Sequence, residues 1–233
     1  MKQPIRVITV LTVAALAALS MAQSVSLKRV AKEGDVAKYK MRAEVDIQGM
    51  SATVSLNMNE KILKVADNGD ITTESSQTDL KVKLGDQDVD APQNDAPQVT
   101  VSKATGEVVE LKGDMVDGTA YRMAAMSSFY MPGKDVAVGD SWETKIAKND
   151  KLGIVAATAK YKIEKIEKVG DFDAVQITFE YKETEGNEPA SASGKIWIST
   201  KDGSMVKLDG EWKNAPFPGA PMPINAKVVI ERA

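Results

Sequence analysis

The feature that most constrains the fold of this chain is a strictly alternating segment near its start. From Ala37 to Gln48, small or apolar side chains occupy every second position and charged or amide side chains occupy the others. Because successive side chains of a β-strand point to opposite faces, the pattern predicts a long strand with one buried and one solvated face. The segment Ala174–Glu183 alternates in the same way, which predicts that Tyr181 faces inward and Gln176 faces outward.

A hairpin-like segment occurs twice, at positions 101–114 and 198–211. At a constant offset of 97, five of the 14 positions are identical, among them Gly106 and Gly203. Each copy has a glycine-containing turn between two strand-like runs, which is typical of a β-hairpin. The repeat indicates that the chain contains two related halves.

A second match supports this division, since Gly34-Asp35 recurs as Gly139-Asp140 before the next predicted strand. We therefore predict a mainly β protein of antiparallel curved sheets or half-barrels, produced by an internal duplication and joined by one short helix. The predicted regions are a first β half at 23–114, a helix and linker at 115–138, and a second β half at 139–233.

The second half ends with two elements that the first half lacks. Ala215–Pro223 is rich in proline and is interpreted as a stiff connection. The strand predicted at Ile224–Ile230 has no counterpart, and its pattern leaves open whether it closes the sheet or forms an exposed edge.

Residues 1–22 are predicted to be a signal peptide. Lys2 and Arg6 precede the uncharged, mostly apolar run Val7–Leu19, and small residues follow it. The chain is therefore expected to be exported to the periplasm or beyond, with no membrane span in its mature part. Without Lys2 and Arg6 the chain has 28 basic and 33 acidic residues, and this negative balance argues against nucleic acid as a partner.

The chain contains neither cysteine nor histidine. This removes disulfides, the usual general base and the commonest ligands of zinc and other transition metals. We therefore expect no catalytic residues, no metal site and no cofactor, and we predict that the protein is not an enzyme. The alternative within the enzyme class is a hydrolase that acts on polysaccharide with carboxylates alone.

One segment, Asp117–Tyr130, has a helical pattern. Either Asp117 or Thr119 can cap its start, and Pro132-Gly133 ends it. This is the helix expected to link the two halves.

The segment Met131–Glu143, which includes the order Val-Gly-Asp-Ser-Trp-Glu, resembles a phrase in uncharacterised secreted bacterial β-rich proteins. In that family a helix and a proline-containing link precede the second β half, and the resemblance implies no known chemistry. The duplicated half-sheets also resemble, more loosely, the curved-sheet periplasmic carriers of lipids and lipoproteins. That second resemblance implies an apolar ligand in the concave face.

The helix region is also rich in methionine, from Met115 to Met131. Thioether side chains pack flexibly, and the long strands carry small residues such as Ala43 and Ala157 where a filled interior needs bulk. We predict a binding or carrier module for an apolar or amphipathic small molecule or lipid, and the alternative outside the enzymes is a structural or adhesive envelope protein. The predicted ligand contacts are Tyr121, Met123, Met126, Phe129 and Tyr130.

Overall fold

The computed structural model describes residues 24–47, 49–90, 96–220 and 222–233, so the predicted signal peptide lies outside the described residues. The described chain has these strands in order: β1 Val25–Ser26, β2 Val36–Ile47, β3 Met50–Val65, β4 Ile71–Leu84, β5 Gln87–Val89, β6 Gln98–Ser102, β7 Val108–Lys112, β8 Asp135–Val136, β9 Ser141–Ile146, β10 Ala157–Val169, β11 Phe172–Glu183, β12 Ser191–Ser199, β13 Met205–Ala215 and β14 Ile224–Arg232. One helix, α1 Gly118–Ser127, lies between β7 and β8.

Twelve of the strands form one antiparallel sheet. Its order is β7-β6-β4-β3-β2-β14-β13-β12-β11-β10-β9, with β5 paired to β4, while β1 and β8 pair with each other outside it. The described part of the sheet does not close, and β7 and β9 are its two free edges. The predicted mainly β, antiparallel architecture with one linking helix is confirmed.

The alternating segments form strands with the predicted faces. In β2, Tyr39, Ala43 and Val45 are buried, whereas the charged residues Lys40, Arg42, Glu44 and Asp46 that alternate with them are exposed. Their neighbours in register are also apolar, since Ala43 lies opposite Val54 on β3 and Val228 on β14. One continuous apolar face therefore runs across the central strands and forms the core.

The prediction that Gln176 faces the solvent is wrong, because its side chain is only 7% exposed. The reason is a second, small apolar cluster on the other face of β11, made of Ala174, Trp197 and Val206. Beside it, the Gln176 amide donates a hydrogen bond to Glu167 Oε1 at 3.0 Å, so its polar group is satisfied under this cover.

The last strand has a place that the sequence did not indicate. The strand predicted at Ile224–Ile230 neither closes the sheet nor forms an edge, because β14 pairs with β13 on one side and β2 on the other. It joins the two halves at the centre of the sheet, and its inward residues Ala226 and Val228 lie between apolar or small neighbours such as Trp212 and Ala43. Because both edges of β14 are hydrogen-bonded within the sheet, this strand has no free edge with which to bind another chain.

The helix is shorter than the predicted Asp117–Tyr130. Asp117 caps it, since its carboxylate accepts a hydrogen bond from Ala120 N at 2.9 Å. The chain leaves the helix at Ser128, which is extended and whose hydroxyl donates to Ala124 O at 2.7 Å. The following residues continue as an extended segment across the hairpin of β6 and β7.

The two halves begin with the same hydrogen bonds. Gly34 N donates to Ile62 O and Ile62 N donates to Asp35 O, both at 2.9 Å. In the second half, Gly139 N donates to Ile163 O and Ile163 N donates to Asp140 O, again both at 2.9 Å. The equivalence fits the predicted duplication, which as an evolutionary origin stays a prediction.

Each half is also crossed by the segment that precedes the other half. Val30 N donates to Asp202 O in the turn after β12, and Met131 N donates to Thr105 O in the turn after β6, both at 2.9 Å. Glycine is required in each turn, because a Cβ on Gly203 or on Gly106 would overlap the backbone of the crossing segment. Each crossing segment lies beside one of the two cavities described below.

Candidate functional site

A cleft of about 590 Å³ lies between the two free edges of the sheet. One wall is the hairpin of β6 and β7, the other is β9 with the loop that follows it, and the roof is the end of α1 with the segment after it. Its lining residues come from these three sources: Lys103, Thr105, Glu107, Val108, Val109, Ala125, Tyr130, Met131, Thr144 to Asn149, Leu152 and Ile154.

The cleft has an apolar interior and a basic rim. Apolar side chains line its depth, including Ala125 and Val108, which are buried, and Leu152 and Ile154. Three lysines lie at its mouth: Lys103, Lys145 and Lys148. Lys103 pairs with Glu107 at 2.8 Å and Lys148 pairs with Asp150 at 2.9 Å, whereas Lys145 forms no ion pair with any described residue.

Tyr130 is fixed at the roof by three hydrogen bonds. Its N–H donates to the Tyr161 hydroxyl at 3.2 Å, its carbonyl accepts from Trp142 Nε1 at 2.9 Å, and its hydroxyl donates to Ala125 O at 3.0 Å. Burial raises the pKa of Tyr130, and the neighbouring Tyr181 and Tyr161 act in the same direction. The hydroxyl therefore stays protonated and acts as a structural donor.

The interior behind the roof is closely packed. Trp142 stacks on Tyr161 with ring centres 5.0 Å apart, and Phe129 meets Tyr161 edge-on at 5.1 Å. A void of about 20 Å³ lies there, bounded by Met126, Phe129 and Trp212 among others. Aromatic rings and α1 thus fill the concave face that small strand residues leave open.

The structure separates the five predicted ligand contacts. Tyr130 lines the cleft, whereas Met126 and Phe129 border the small void and Met123 packs partly buried against the main core. Tyr121 lies in another cluster, and its hydroxyl accepts a hydrogen bond from Leu111 N at 3.0 Å. Whether any of the five contacts a ligand stays a prediction.

Sequence reasoning missed the wall that follows β9. Leu152 and Ile154 line the cleft from the loop between β9 and β10, a stretch in which the sequence predicted no element. The signal was present, since two apolar residues flank Gly153 in an otherwise polar stretch. Gly153 is needed there because a Cβ would overlap the backbone of Gly118 at the start of α1.

It also missed the buried ion pair that holds α1. Glu183 is only 1% exposed, and both of its carboxylate oxygens accept hydrogen bonds from Arg122 at 2.5 Å. The sequence pattern could have revealed that Glu183 is buried, because it falls on the same alternate positions as the inward-facing Val175 and Tyr181. The guanidinium beside Glu183 forms a strong hydrogen bond with it, and this raises the pKa of Arg122.

No three His, Cys, Asp or Glu side chains of the described residues come together where they could hold a metal ion. In the same part of the chain, α1 has 10 residues and no helix combines the length and apolarity needed to cross a membrane.

The described chain thus has the architecture of an open antiparallel sheet with a single helix. The two free edges of the sheet flank a cleft, and the helix covers it. No protein-family model matches the chain, and no curated protein sequence matches it. A Bacteroides fragilis protein described as exported, with a YmcC-like fold, is 8% identical, with 89% of this chain and 99% of that chain covered and a TM-score of 0.37.

Two further solved structures are similar to a comparable degree. A Parabacteroides distasonis protein described as a lipoprotein is 11% identical, with coverage of 91% and 100% and a TM-score of 0.37. A DUF1329 family protein from Desulfovibrio piger is 12% identical, with coverage of 86% and 84% and a TM-score of 0.25. Similarities this weak carry no conclusion about function.

Proposed function

We propose that the protein is an exported binding module for an amphipathic molecule, whose apolar part enters the cleft between β7 and β9. The observation that carries the proposal is the cleft itself. Its volume of about 590 Å³ falls in the range of small-molecule sites, and it combines apolar lining residues such as Val108, Leu152 and Ile154 with polar ones, three of them lysines.

The rim suggests which end of the ligand faces the solvent. Lys145 has no carboxylate partner among the described residues, and the other two rim lysines are matched only by exposed carboxylates. An anionic head group at the mouth would meet these ammonium groups while an acyl or other apolar chain contacts Val108, Leu152 and Ile154. A fatty acid or a lysophospholipid has this chemistry.

A binding role is favoured over hydrolysis by the composition of the cleft. Glu107 is the one carboxylate among its described lining residues, and it is paired with Lys103 at 2.8 Å. Hydrolysis of a glycosidic bond by carboxylates alone uses two of them, one with a raised pKa. The proposed role is therefore that of a carrier or receptor and not of an enzyme.

The test is a titration of the mature protein with a fluorescent fatty acid, joined to mass spectrometry of organic extracts of the purified protein. The blocking variant is Ala147→Trp, because Ala147 is exposed, lies at the cleft and can accept an indole without disturbing the core. The matched control is Met222→Trp, which adds an indole at an exposed position outside the cleft. Met126→Asp is unsuitable, because it would place a carboxylate in the core.

We expect saturable probe binding that Ala147→Trp weakens by at least about tenfold and that Met222→Trp leaves unchanged. Lys145→Glu should weaken binding of the fatty acid by a smaller factor, whereas Lys195→Glu, at an exposed position of β12, should not. The proposal is overturned if the probe does not bind saturably, or if Ala147→Trp binds it as well as the wild type.

A further inference from the structure

A second cavity, of about 390 Å³, lies at the hairpin of β12 and β13 and differs in character from the cleft. It is enclosed by the crossing segment before β2, the start of β2, the end of β3, the turn after β12 and the end of β14. Its described lining residues are Arg29, Val30, Lys32, Asp35, Val36, Ala37, Glu60, Ile62, Lys201, Asp202, Ser204 and Arg232.

Three partly buried charges line this cavity without any ion pair among the described residues. They are Arg29, Arg232 and Glu60, and none of them has an oppositely charged group within 4.0 Å. Partly buried charges are ordinarily paired, because desolvation is costly unless an opposite charge compensates for it.

The two guanidinium groups are held in place by neutral acceptors. Arg232 Nη1 donates to Ser204 Oγ at 2.7 Å, and its guanidinium lies 4.7 Å from the ring centre of Phe172. Arg29 Nη1 donates to the carbonyl of Asp202 at 3.4 Å. A guanidinium has five N–H donors, so each keeps donors for an anion in the cavity.

Glu60, in contrast, carries a negative charge that an anionic ligand would not compensate. Its carboxylate accepts no hydrogen bond from a described residue, and burial raises its pKa although Arg29 and Arg232 act against this. A plain anion bound by the two arginines would be repelled by Glu60. A plain cation bound by Glu60 would be repelled by the arginines.

We propose that this cavity binds a small zwitterion, an amino carboxylate whose carboxylate is held by Arg29 and Arg232 and whose ammonium group pairs with Glu60. Such a ligand compensates all three charges at once, which no singly charged ligand does. The site is separate from the cleft between the sheet edges and does not depend on the function proposed for that cleft.

The test uses three probes that share a small carbon skeleton: L-alanine with both charges, propionate without the amine, and ethylamine without the carboxylate. Binding to the mature protein is measured by the shifts of backbone amide signals, with those of Gly203 and Ser204 as reporters. We expect L-alanine to bind at least about tenfold more tightly than either partial analogue.

Two variants that each remove one charge separate the roles. Glu60→Gln should weaken L-alanine binding by at least about fivefold while leaving propionate unchanged or tighter. Arg232→Gln should weaken both. The control is Arg42→Gln, an exposed arginine on the opposite face of β2 that pairs with Glu44 at 3.7 Å, and it should change neither.

The pH dependence of L-alanine binding to the wild type tests the role of Glu60 even if the variants fail to fold. Glu60 is faced by Arg29, Lys32 and Asp35 before β2, Tyr39 on β2, Lys201 and Asp202 after β12, and Arg232 on β14. Both charged groups of L-alanine keep their charge between about pH 4 and pH 8. Within this range the affinity for L-alanine should fall as the pH is lowered and Glu60, whose pKa burial raises, takes up a proton.

Three results would overturn the proposal. Propionate that binds as tightly as L-alanine, with Glu60→Gln strengthening both, would mean a plain anion site. Ethylamine that binds as tightly as L-alanine would mean a plain cation site. No amide shifts with any probe would mean that the charges serve only to join the crossing segment to the sheet.

Discussion

Glu183 on β11 and Arg122 on α1 form a two-point ion pair in which Oε1 accepts from Nε and Oε2 accepts from Nη2, both at 2.5 Å. Glu183 Oε2 also accepts from Ala190 N at 2.6 Å, and Arg122 Nη2 donates to Glu188 O at 3.0 Å. The pair joins the helix to the far half of the sheet. It thereby ties α1, whose Ala125 lines the cleft, to the sheet.

Loss of one member of this pair should destabilise the protein more than loss of both. Arg122→Met leaves a buried carboxylate without its counter-charge, and we expect a loss of about 3 kcal/mol in the free energy of unfolding. Arg122→Met with Glu183→Leu removes both charges and should lose less free energy of unfolding than Arg122→Met alone. Urea denaturation measures each value.

The matched control is Arg42→Met, which removes an exposed ion pair with Glu44 at 3.7 Å. It should leave the urea midpoint nearly unchanged, because exposed pairs contribute little. A double variant that is less stable than Arg122→Met would contradict the view that the uncompensated charge is the main cost.

Two core tyrosines should respond in opposite ways to loss of the hydroxyl. The Tyr181 hydroxyl is buried and has no hydrogen-bond partner among the described residues, so Tyr181→Phe should be neutral or stabilise by up to about 1 kcal/mol. The Tyr161 hydroxyl accepts from Tyr130 N at 3.2 Å, so Tyr161→Phe should cost about 1–2 kcal/mol. Thermal or urea unfolding of the pair tests this, and a larger loss for Tyr181→Phe than for Tyr161→Phe would refute it.

The crossing of the β6–β7 hairpin by the segment after α1 can be tested at one glycine. Gly106 has φ +92° and a Cβ there would overlap the carbonyl of Phe129, whereas Gly139 has φ +94° with no atom within 4 Å of a Cβ. Gly139→Ala should cost about 1 kcal/mol, the price of a left-handed alanine, and Gly106→Ala at least about 1 kcal/mol more. Equal losses in urea unfolding would show that the close approach does not constrain the turn.

The stability of the protein should depend on pH through Glu60. Burial raises the folded-state pKa of Glu60 above its ordinary value of 4.5, so folding favours the protonated carboxyl. The favourable contribution is complete below the ordinary pKa and is lost as the pH rises through the folded-state pKa. Glu60→Gln removes this dependence, so its stability relative to the wild type should increase from pH 4.5 upward. Melting temperatures of both proteins across this range measure the difference, and a constant difference would contradict the expectation.

Much of the fold could be predicted from local pattern. The alternation of β2 and β11 gave the strands and the inward positions of Tyr39, Ala43 and Tyr181, because a period of two defines which face is buried. The sequence offered Asp117 or Thr119 as the start of the helix, and in the structure the Asp117 carboxylate caps a free N–H group of the first turn. The helix end was predicted too late, because Pro132 limits a helix but contacts of Phe129 and Tyr130 with the sheet ended it earlier.

The candidate sites could be predicted only in part. The sequence indicated the methionine-rich segment around the helix, and Tyr130 does line the cleft. It did not indicate that Met126 and Phe129 would fill the concave face, since this depends on the stacking of Trp142 and Tyr161, which lie on β9 and β10. The residues that line the cleft, and those that line the polar cavity, come from segments far apart in the sequence.

The sequence by itself determined that the chain is mainly β, which side chains of β2 face the core, and that one helix begins at Asp117 or Thr119, because those properties depend on neighbours along the chain. Only the tertiary structure decided that β14 lies at the centre of the sheet, that Glu183 is buried against Arg122, and that Arg29, Glu60 and Arg232 share one cavity. The physical reason is that strand order and the burial of charges depend on partners far apart in the chain. Alternation shows that a strand has an inward face, but not which strand lies beside it.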